Sequence, residues 1–467
     1  MSIFRAYDIR GIVPENAADE VQIGDDALTP AIAELIGKAI GSEAAALNQP
    51  NIVVARDGRL SGPALLEGLI KGLKSTGRNV INIGMLPTPV LYFATYHFNA
   101  GSGVMLTGSH NPPNYNGLKM MIGGDTLSGD RIQALDRRIQ NADFITGVGT
   151  RLETADIGET YIARIVDDVK LARPFKVVVD CGNGVAGELA PKLIRALGCE
   201  VIELFCEIDG NFPNHHPDPS MPENIQDVIK TVQSEKADLG LAFDGDGDRL
   251  GVVDAQGRVI WPDRQMILYA TDLLKRHPGA EIIYDVKCTR YLETAIEQAG
   301  GKPLMWNTGH SFIKAKIKET GALLGGEMSG HIFFKERWYG FDDALYTAAR
   351  LLEILSNDNR TPEAVFAELP DAVNTPELKL ELAEFGQHYQ LMDKIRESFN
   401  FGETVKVRTI DGIRADFEDG WGLVRPSNTT PCLVIRFEAD NQEALERIQN
   451  NFRQQFLAID GALNLPF

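Results

Sequence analysis

Short apolar runs that end in an aspartate recur along the chain, each followed by a turn and a helically spaced segment. Asn51-Ile-Val-Val-Ala-Arg56 leads into Asp57-Gly58-Arg59, and Gly62 to Thr76 then carries Leu and Ile at helical spacing. Lys176-Val-Val-Val-Asp180 has the same form, with a helix predicted to end over Pro191 to Leu197. Glu281-Ile-Ile-Tyr-Asp285 repeats it before a helix predicted over Tyr291 to Gln298. Brief β-branched runs bounded by turn residues predict buried strands. Strands alternating with helices predict α/β units.

A second series of polar turns runs in step with the first. Ser109, Asp244 and the segment Gly325-Gly-Glu327-Met-Ser329-Gly-His331 each follow a later apolar run of their unit. This self-similarity predicts three homologous α/β units of roughly 100 to 150 residues. Ligand groups in such sheets cluster at the carboxyl ends of strands, so the three turns are expected to face one cleft. After Leu369 the texture changes. Pro370 to Pro376 reads as a linker and hinge. Beyond it, strands over Thr404 to Ile410, Gly412 to Phe417 and Cys432 to Glu438, with a helix from Gln442 to Leu457, predict a smaller α+β domain. The expected division is 1–152, 153–258, 259–369 and 370–467, the last carrying the turn Arg425-Pro-Ser427-Asn428-Thr429-Thr430. Arginine, hydroxyls, an amide and backbone N–H groups suit a phosphate there.

Composition narrows the picture. The chain has 467 residues, 44% of them hydrophobic, which fits several globular domains. No run approaches the roughly 18 apolar residues of a membrane span, and the charged N-terminus does not read as a secretory signal. The five scattered cysteines form no CxxC pair and read as free thiols in a reducing, cytoplasmic setting. A net charge of −19 argues against nucleic acid or an anionic membrane as partner. An anionic ligand would need a local basic cluster, for which Arg5, Arg10, Lys119, Arg249, Lys287 and Arg425 are the candidates.

Two stretches carry the chemistry. Val104-Met-Leu-Thr107-Gly-Ser109-His-Asn-Pro112-Pro113 reads as a buried strand stopped by prolines in a rigid turn that presents one hydroxyl. Asp244-Gly-Asp246-Gly-Asp248-Arg249 puts three carboxylates on a strand end. An EF-hand would need glycine and glutamate where Arg249 and Ala255 stand, so a compact oxygen site for Mg²⁺ with room for a phosphate fits better. Without a cation, three carboxylates so close would repel. Lys119 can reach the Ser109 turn as acid or base if the chain folds back. Gly182-x-Gly184-x-x-Gly187, with Glu203 about 20 residues on, has the form of a dinucleotide fingerprint and raises a dehydrogenase as rival. Asn214-His215-His216-Pro217 reads as an ordered loop rather than a metal site, and His310 and His331 lie in glycine-bounded loops.

Thr107-Gly-Ser109-His-Asn-Pro-Pro, Asp244-Gly-Asp-Gly-Asp-Arg249, Gly326-Glu-Met-Ser-Gly-His331 and Arg425-Pro-Ser-Asn-Thr-Thr430 occur in that order, behind the opening Phe4-Arg-Ala-Tyr-Asp-Ile-Arg-Gly11. The whole chain thereby resembles the α-D-phosphohexomutase superfamily, most closely its bacterial phosphomannomutase/phosphoglucomutase branch. The resemblance implies three related α/β domains with mixed sheets and a fourth, TATA-binding-protein-like domain around a central cleft. It implies that Ser109 is a phosphoserine, that Asp244, Asp246 and Asp248 hold Mg²⁺ with an oxygen of that serine, and that Lys119 and Arg249 lie by the transferring phosphoryl group. Glu327, Ser329 and His331 would meet the sugar, and Arg425, Ser427, Asn428 and Thr429 the second phosphate. Tyr7, Arg10, Lys287 and His310 would line the cleft, His310 among the catalytic groups. The implied reaction interconverts hexose 1- and 6-phosphates of glucose and mannose through a hexose 1,6-bisphosphate, in a monomer or weak homodimer. Phosphoglucosamine mutase, or a sugar-phosphate sensor without activity, are the alternatives on the same scaffold.

Overall fold

The computed structural model describes residues 3–14, 26–384, 386–428 and 430–467. Its first three sheets repeat one topology. In the third, the strand Glu281–Asp285 lies between two parallel neighbours, Lys302–Trp306 on one side and Leu324–Gly326 on the other, and the antiparallel Ile332–Phe334 flanks the latter. The second sheet places Lys176–Asp180 between Glu200–Leu204 and Leu239–Phe243, with antiparallel Leu250–Asp254 beyond. The first places Asn51–Arg56 between Asn79–Met85 and Gly103–Leu106, with antiparallel Tyr115–Ile122 beyond. The fourth strand reverses because only a short turn joins it to the third, too short for a parallel crossover.

Sequence chemistry explains the elements. The central strands are Val- and Ile-rich, and their inner residues are buried, as sheets covered on both faces require. The helix Gly62–Ser75 follows its predicted span, and Arg290–Gln298 is capped by the Thr289 hydroxyl, which accepts from the Tyr291 N–H. One apolar core runs from Val53 through the second and third units to Leu355 and on to Trp421. The units are therefore cemented to each other and not merely strung together.

The last sheet is antiparallel and orders Val373–Asn374, Cys432–Ala439, Gly420–Pro426, Ile413–Phe417 and Lys406–Arg408, with Leu378–Glu381 also on Cys432–Ala439. The helices Gln387–Ser398 and Gln442–Ile459 pack on it. Part of the expected linker is thus already sheet: Val373 pairs with Ala439, and Asp371 binds Arg264 at 2.6 Å. Arginines dock this domain on the third unit. Arg414 donates to the carbonyls of Val286 (2.7 Å) and Cys288 (2.8 Å), and Arg408 pairs with Glu293 at 2.7 Å. No helix among the described residues is long and apolar enough to cross a membrane.

Trp421 sits fully buried at the centre of this docking, with the Arg414 guanidinium 4.0 Å over its ring and its indole N–H donating to Glu438 at 3.0 Å. Trp421→Ala is expected to cost about 3 to 5 kcal/mol in the unfolding transition of the C-terminal domain, read by denaturant titration.

Candidate active site

The turn between the third and fourth strand is the same topological element in all three units, and all three turns meet. Ser109 follows Gly103–Leu106, Asp244 follows Leu239–Phe243 and Glu327 follows Leu324–Gly326. The Ser109 Oγ lies 3.3 Å from Asp244 Oδ2. A methyl on Gly245 would sit 2.3 Å from the Ser109 carbonyl oxygen, so these two turns are in van der Waals contact. The Leu250 N–H donates to the Gly330 carbonyl at 3.3 Å, and Arg249 Nε to His331 Nε2 at 3.0 Å, which joins the second turn to the third.

Ser109 is held in a left-handed conformation, φ +50°, which strains a residue with a side chain. The aspartate ending the first strand supports it. Asp57, buried, accepts from the Thr107 hydroxyl (2.8 Å), the Gly108 N–H (3.2 Å) and Arg59 Nε (3.1 Å). The Arg59 guanidinium then donates to four carbonyls of the turn, those of Ser109 (2.8 Å), Asn111 (2.6 Å), Pro112 (2.5 Å) and Tyr115 (2.9 Å). Gly108 is a glycine because a methyl there would lie 2.4 Å from the Arg59 guanidinium carbon. Arg10 reaches the same turn through Asn111 and pairs with Asp8.

Asp244, Asp246 and Asp248 are fully buried, with carboxylate oxygens within 4.8 Å of one another. Lys119 stands opposite Met105 in the hairpin, so its chain does fold back; its ammonium binds Asp246 at 2.7 Å and also Asp248. Burial would lower the Lys119 pKa, but attraction to Asp246 and Asp248 outweighs it and the net shift is upward. One ammonium does not balance three carboxylates. Burial, then repulsion from Asp246 and Asp248, pushes Asp244 well above the usual range. Among the described residues, Asp246 Oδ1 and Asp248 Oδ1 are buried without a hydrogen-bond donor. Uncompensated, close-set oxygens are the donor set of a hard divalent cation, so these residues fit Mg²⁺.

The third turn adds His331, whose Nδ1 lies 3.1 Å from Asp342 and 3.4 Å from Asp248. Buried Glu327 accepts from the Gly309 N–H at 2.6 Å, and burial raises its pKa. Ser329 is half-buried beside it. His310 stacks on His331 with ring centroids 5.6 Å apart, and burial holds its pKa well below the usual value. Tyr7 lies 6.5 Å from His310, donates to the Thr308 carbonyl at 2.8 Å and is hydrogen-bonded by Asn428. The rings of Tyr7, His310 and His331 thus link the metal-type cluster to the turn of the last domain. There, buried Arg425 pairs with Asp411 at 2.8 Å, the Ser427 hydroxyl lies 2.9 Å from that of Thr430, and Lys287 binds Glu377 at 2.6 Å. Thr429 lies outside the described residues.

Charges that stand alone in the sequence are paired in space. Arg5 with Asp26, Arg10 with Asp8, Lys287 with Glu377 and Arg425 with Asp411 each carry a carboxylate partner, so an anion would meet ion pairs and not bare cations. The dinucleotide-like turn has another purpose. A methyl on Gly187 would lie 2.0 Å from the Cys206 carbonyl oxygen, and one on Gly184 3.0 Å from Gly245 Cα; Glu203 pairs with Arg195 on the surface. The chain's own backbone fills the place a pyrophosphate would need. His215 binds Asp180 at 3.1 Å and His216 binds the His110 carbonyl, so this loop braces the Ser109 turn. Sequence reasoning missed Arg59, Asp57, Asp342, Asp411 and Glu377. Only Asp57 had a local signal, its place at the strand end shared with Asp180 and Asp285.

Arg59→Lys leaves one ammonium where a guanidinium serves four carbonyls, and it is expected to lower turnover by about tenfold or more and stability by about 1 to 3 kcal/mol, read by enzyme assay and denaturant titration. For Glu377, burial alone would raise the pKa, but Lys287 and then Arg436 and Arg425 bring it down to about 2. Its folded pKa is below the unfolded value near 4.5, so the tie between third unit and last domain is present above that value and lost as pH falls toward 2. Acid unfolding of Glu377→Gln should show a deficit at neutral pH that closes over that window.

The descriptions of four domains of phosphoglucomutase/phosphomannomutase match in order: alpha/beta/alpha domain I over residues 1–146, II over 159–257, III over 261–373, and the C-terminal domain over 372–455. A phosphomannomutase/phosphoglucomutase of Pseudomonas aeruginosa is 56% identical over 466 residues, covering 100% of this chain and 98% of that one. A phosphoglucomutase of Neisseria gonorrhoeae is 53% identical over 97% of this chain and 96% of its own. A crystal structure of a phosphoglucomutase/phosphomannomutase family protein from Burkholderia thailandensis, 52% identical, superposes with a TM-score of 0.92 over 100% of this chain and 99% of that one. Four domains in register, on a scaffold whose three repeated turns converge on one serine and three aspartates, place this chain in the phosphoglucomutase/phosphomannomutase family.

Proposed function

We propose that this enzyme interconverts hexose 1-phosphates and hexose 6-phosphates of glucose and mannose, with Ser109 as the phosphoryl carrier. The observation that carries the reading is the Ser109 Oγ at 3.3 Å from Asp244, in a turn held rigid by Arg59 and Asp57. Asp244, Asp246 and Asp248 would hold Mg²⁺, which supplies charge neutralisation for phosphoryl transfer.

The chain's own residues then have these tasks. Phosphorylated Ser109 presents its phosphoryl group, the serine Oγ–P bond breaks and a bond forms to the free hydroxyl of the sugar phosphate. Lys119 and Arg249 place positive charge beside that group. His310 is the nearby imidazole for the proton the hydroxyl loses, the two ring nitrogens of His331 being engaged by Arg249 and Asp342. Glu327 and Ser329 grip sugar hydroxyls. Arg425, Ser427, Asn428 and Thr429 hold the phosphate that does not react, and Tyr7, Arg10 and Lys287 line the cleft. The hexose 1,6-bisphosphate turns end for end and returns its other phosphoryl group to Ser109. Hydroxyls and ion pairs that yield to an anion suit a site that must take either end of the sugar.

Ser109→Ala, assayed with glucose 1-phosphate or mannose 1-phosphate and a catalytic trace of bisphosphate, is expected to lose turnover by about 10³-fold or more. Full activity would remove Ser109 as the carrier. A chelator should stop the wild-type enzyme and added Mg²⁺ restore it; an unaffected rate would reject the metal assignment.

A further inference from the structure

All five cysteines are free, and two of them meet. Cys181 and Cys206 leave the ends of the parallel neighbours Lys176–Asp180 and Glu200–Leu204, whose last residues Asp180 and Leu204 are in register. Their sulfurs are 3.7 Å apart. Cys181 is fully buried, whereas Cys206 is only half-buried. We propose that Cys181 and Cys206 are a redox modification site, in which a hydroperoxide-class oxidant converts the two thiols to a disulfide that slows the mutase.

The burial difference orders the chemistry. Cys206 is the sulfur an oxidant reaches: it attacks the peroxide, the O–O bond breaks, and a sulfenic acid forms as the alcohol or water leaves. Cys181 then attacks that sulfur, the S–O bond breaks, and water departs with the Cys181 proton. Two electrons pass from the sulfurs to the peroxide. Burial pushes the Cys181 thiol up, which keeps it from reacting first. The sulfurs need to close by less than about 2 Å to reach the bonded distance. A small thiol would reverse the bond.

The pair also backs the catalytic turns. The Cys181 carbonyl accepts from the Gly184 N–H at 2.7 Å, and the Val185 N–H donates to the Gly245 carbonyl at 3.1 Å. A methyl on Gly184 would be 3.0 Å from Gly245 Cα, and Gly245 in turn lies against Ser109. The Gly187 backbone is packed as tightly on the Cys206 carbonyl. Moving Cys181 toward Cys206 therefore shifts the segment on which Gly245 rests. The effect on turnover rests on the mutase reading; the cross-link itself does not.

The test treats the full-length enzyme with stoichiometric hydrogen peroxide, then reads intact mass, peptide map and mutase rate, before and after dithiothreitol. The expected result is a loss of two hydrogens, a Cys181–Cys206 linked peptide, and a severalfold fall in rate that dithiothreitol restores. After peroxide, Cys206→Ser and Cys181→Ser should keep the rate of the untreated enzyme and form no link. Absence of the linked peptide, the same mass loss in Cys206→Ser, or a linked enzyme with unchanged rate would each overturn the proposal. Because the peptide map needs no activity, failure of the mutase reading shows separately.

Discussion

Three carboxylates crowded into a buried turn are the constraint on which the rest of the molecule depends. Asp244, Asp246 and Asp248 repel one another where water does not screen them, and the surrounding chain is arranged to contain that repulsion. Lys119 crosses from the first unit to bind two of them. Backbone N–H groups of Asp248 and Arg249 donate to Asp244 at 3.0 and 3.1 Å. The residual imbalance is what makes the turn fit for a divalent cation.

The rigidity of that neighbour comes from a device used three times. In each unit the aspartate at the end of the first strand is buried and ties down the loops around it. Asp57 holds the Ser109 turn through Thr107 and Arg59. Asp180 holds the Gly182 N–H (2.9 Å) and His215, whose loop braces the Ser109 turn from the other side. Asp285 accepts from Thr308 at 3.2 Å and from the Lys287 N–H at 3.2 Å. One topology thus yields three different turns, carrying Ser109, the three aspartates and Glu327, each oriented by the same kind of anchor.

The last domain completes the site by charge pairing. Its Arg425 and Asp411, with Glu377 reaching Lys287, form ion pairs at the seam with the third unit, and the Thr308 N–H donates to Asp411 at 3.1 Å. Arg425 and Lys287 are buried while Glu377 keeps an exposed edge, so removing either carboxylate would leave a buried cation without its partner.

The repeat, the α/β class and the polar turns were readable along the chain, because strand and helix periods and strand-end polar turns are local properties of consecutive residues. Ser109 and the three aspartates stood out along the chain for the same reason, and the fold brings them together, Ser109 Oγ lying 3.3 Å from Asp244. The Gly182–Gly187 pattern misled for the same reason: glycines record that something lies close, not whether it is a pyrophosphate or Cys206 and Gly245. Only the tertiary structure decided what fills each charge. Arg59 is in sequence a polar residue in a turn and in space the clamp on four carbonyls contributed from 50 residues away and more. The pairing of Lys119 with Asp246 spans 127 residues and that of Lys287 with Glu377 spans 90, distances over which no sequence period carries information.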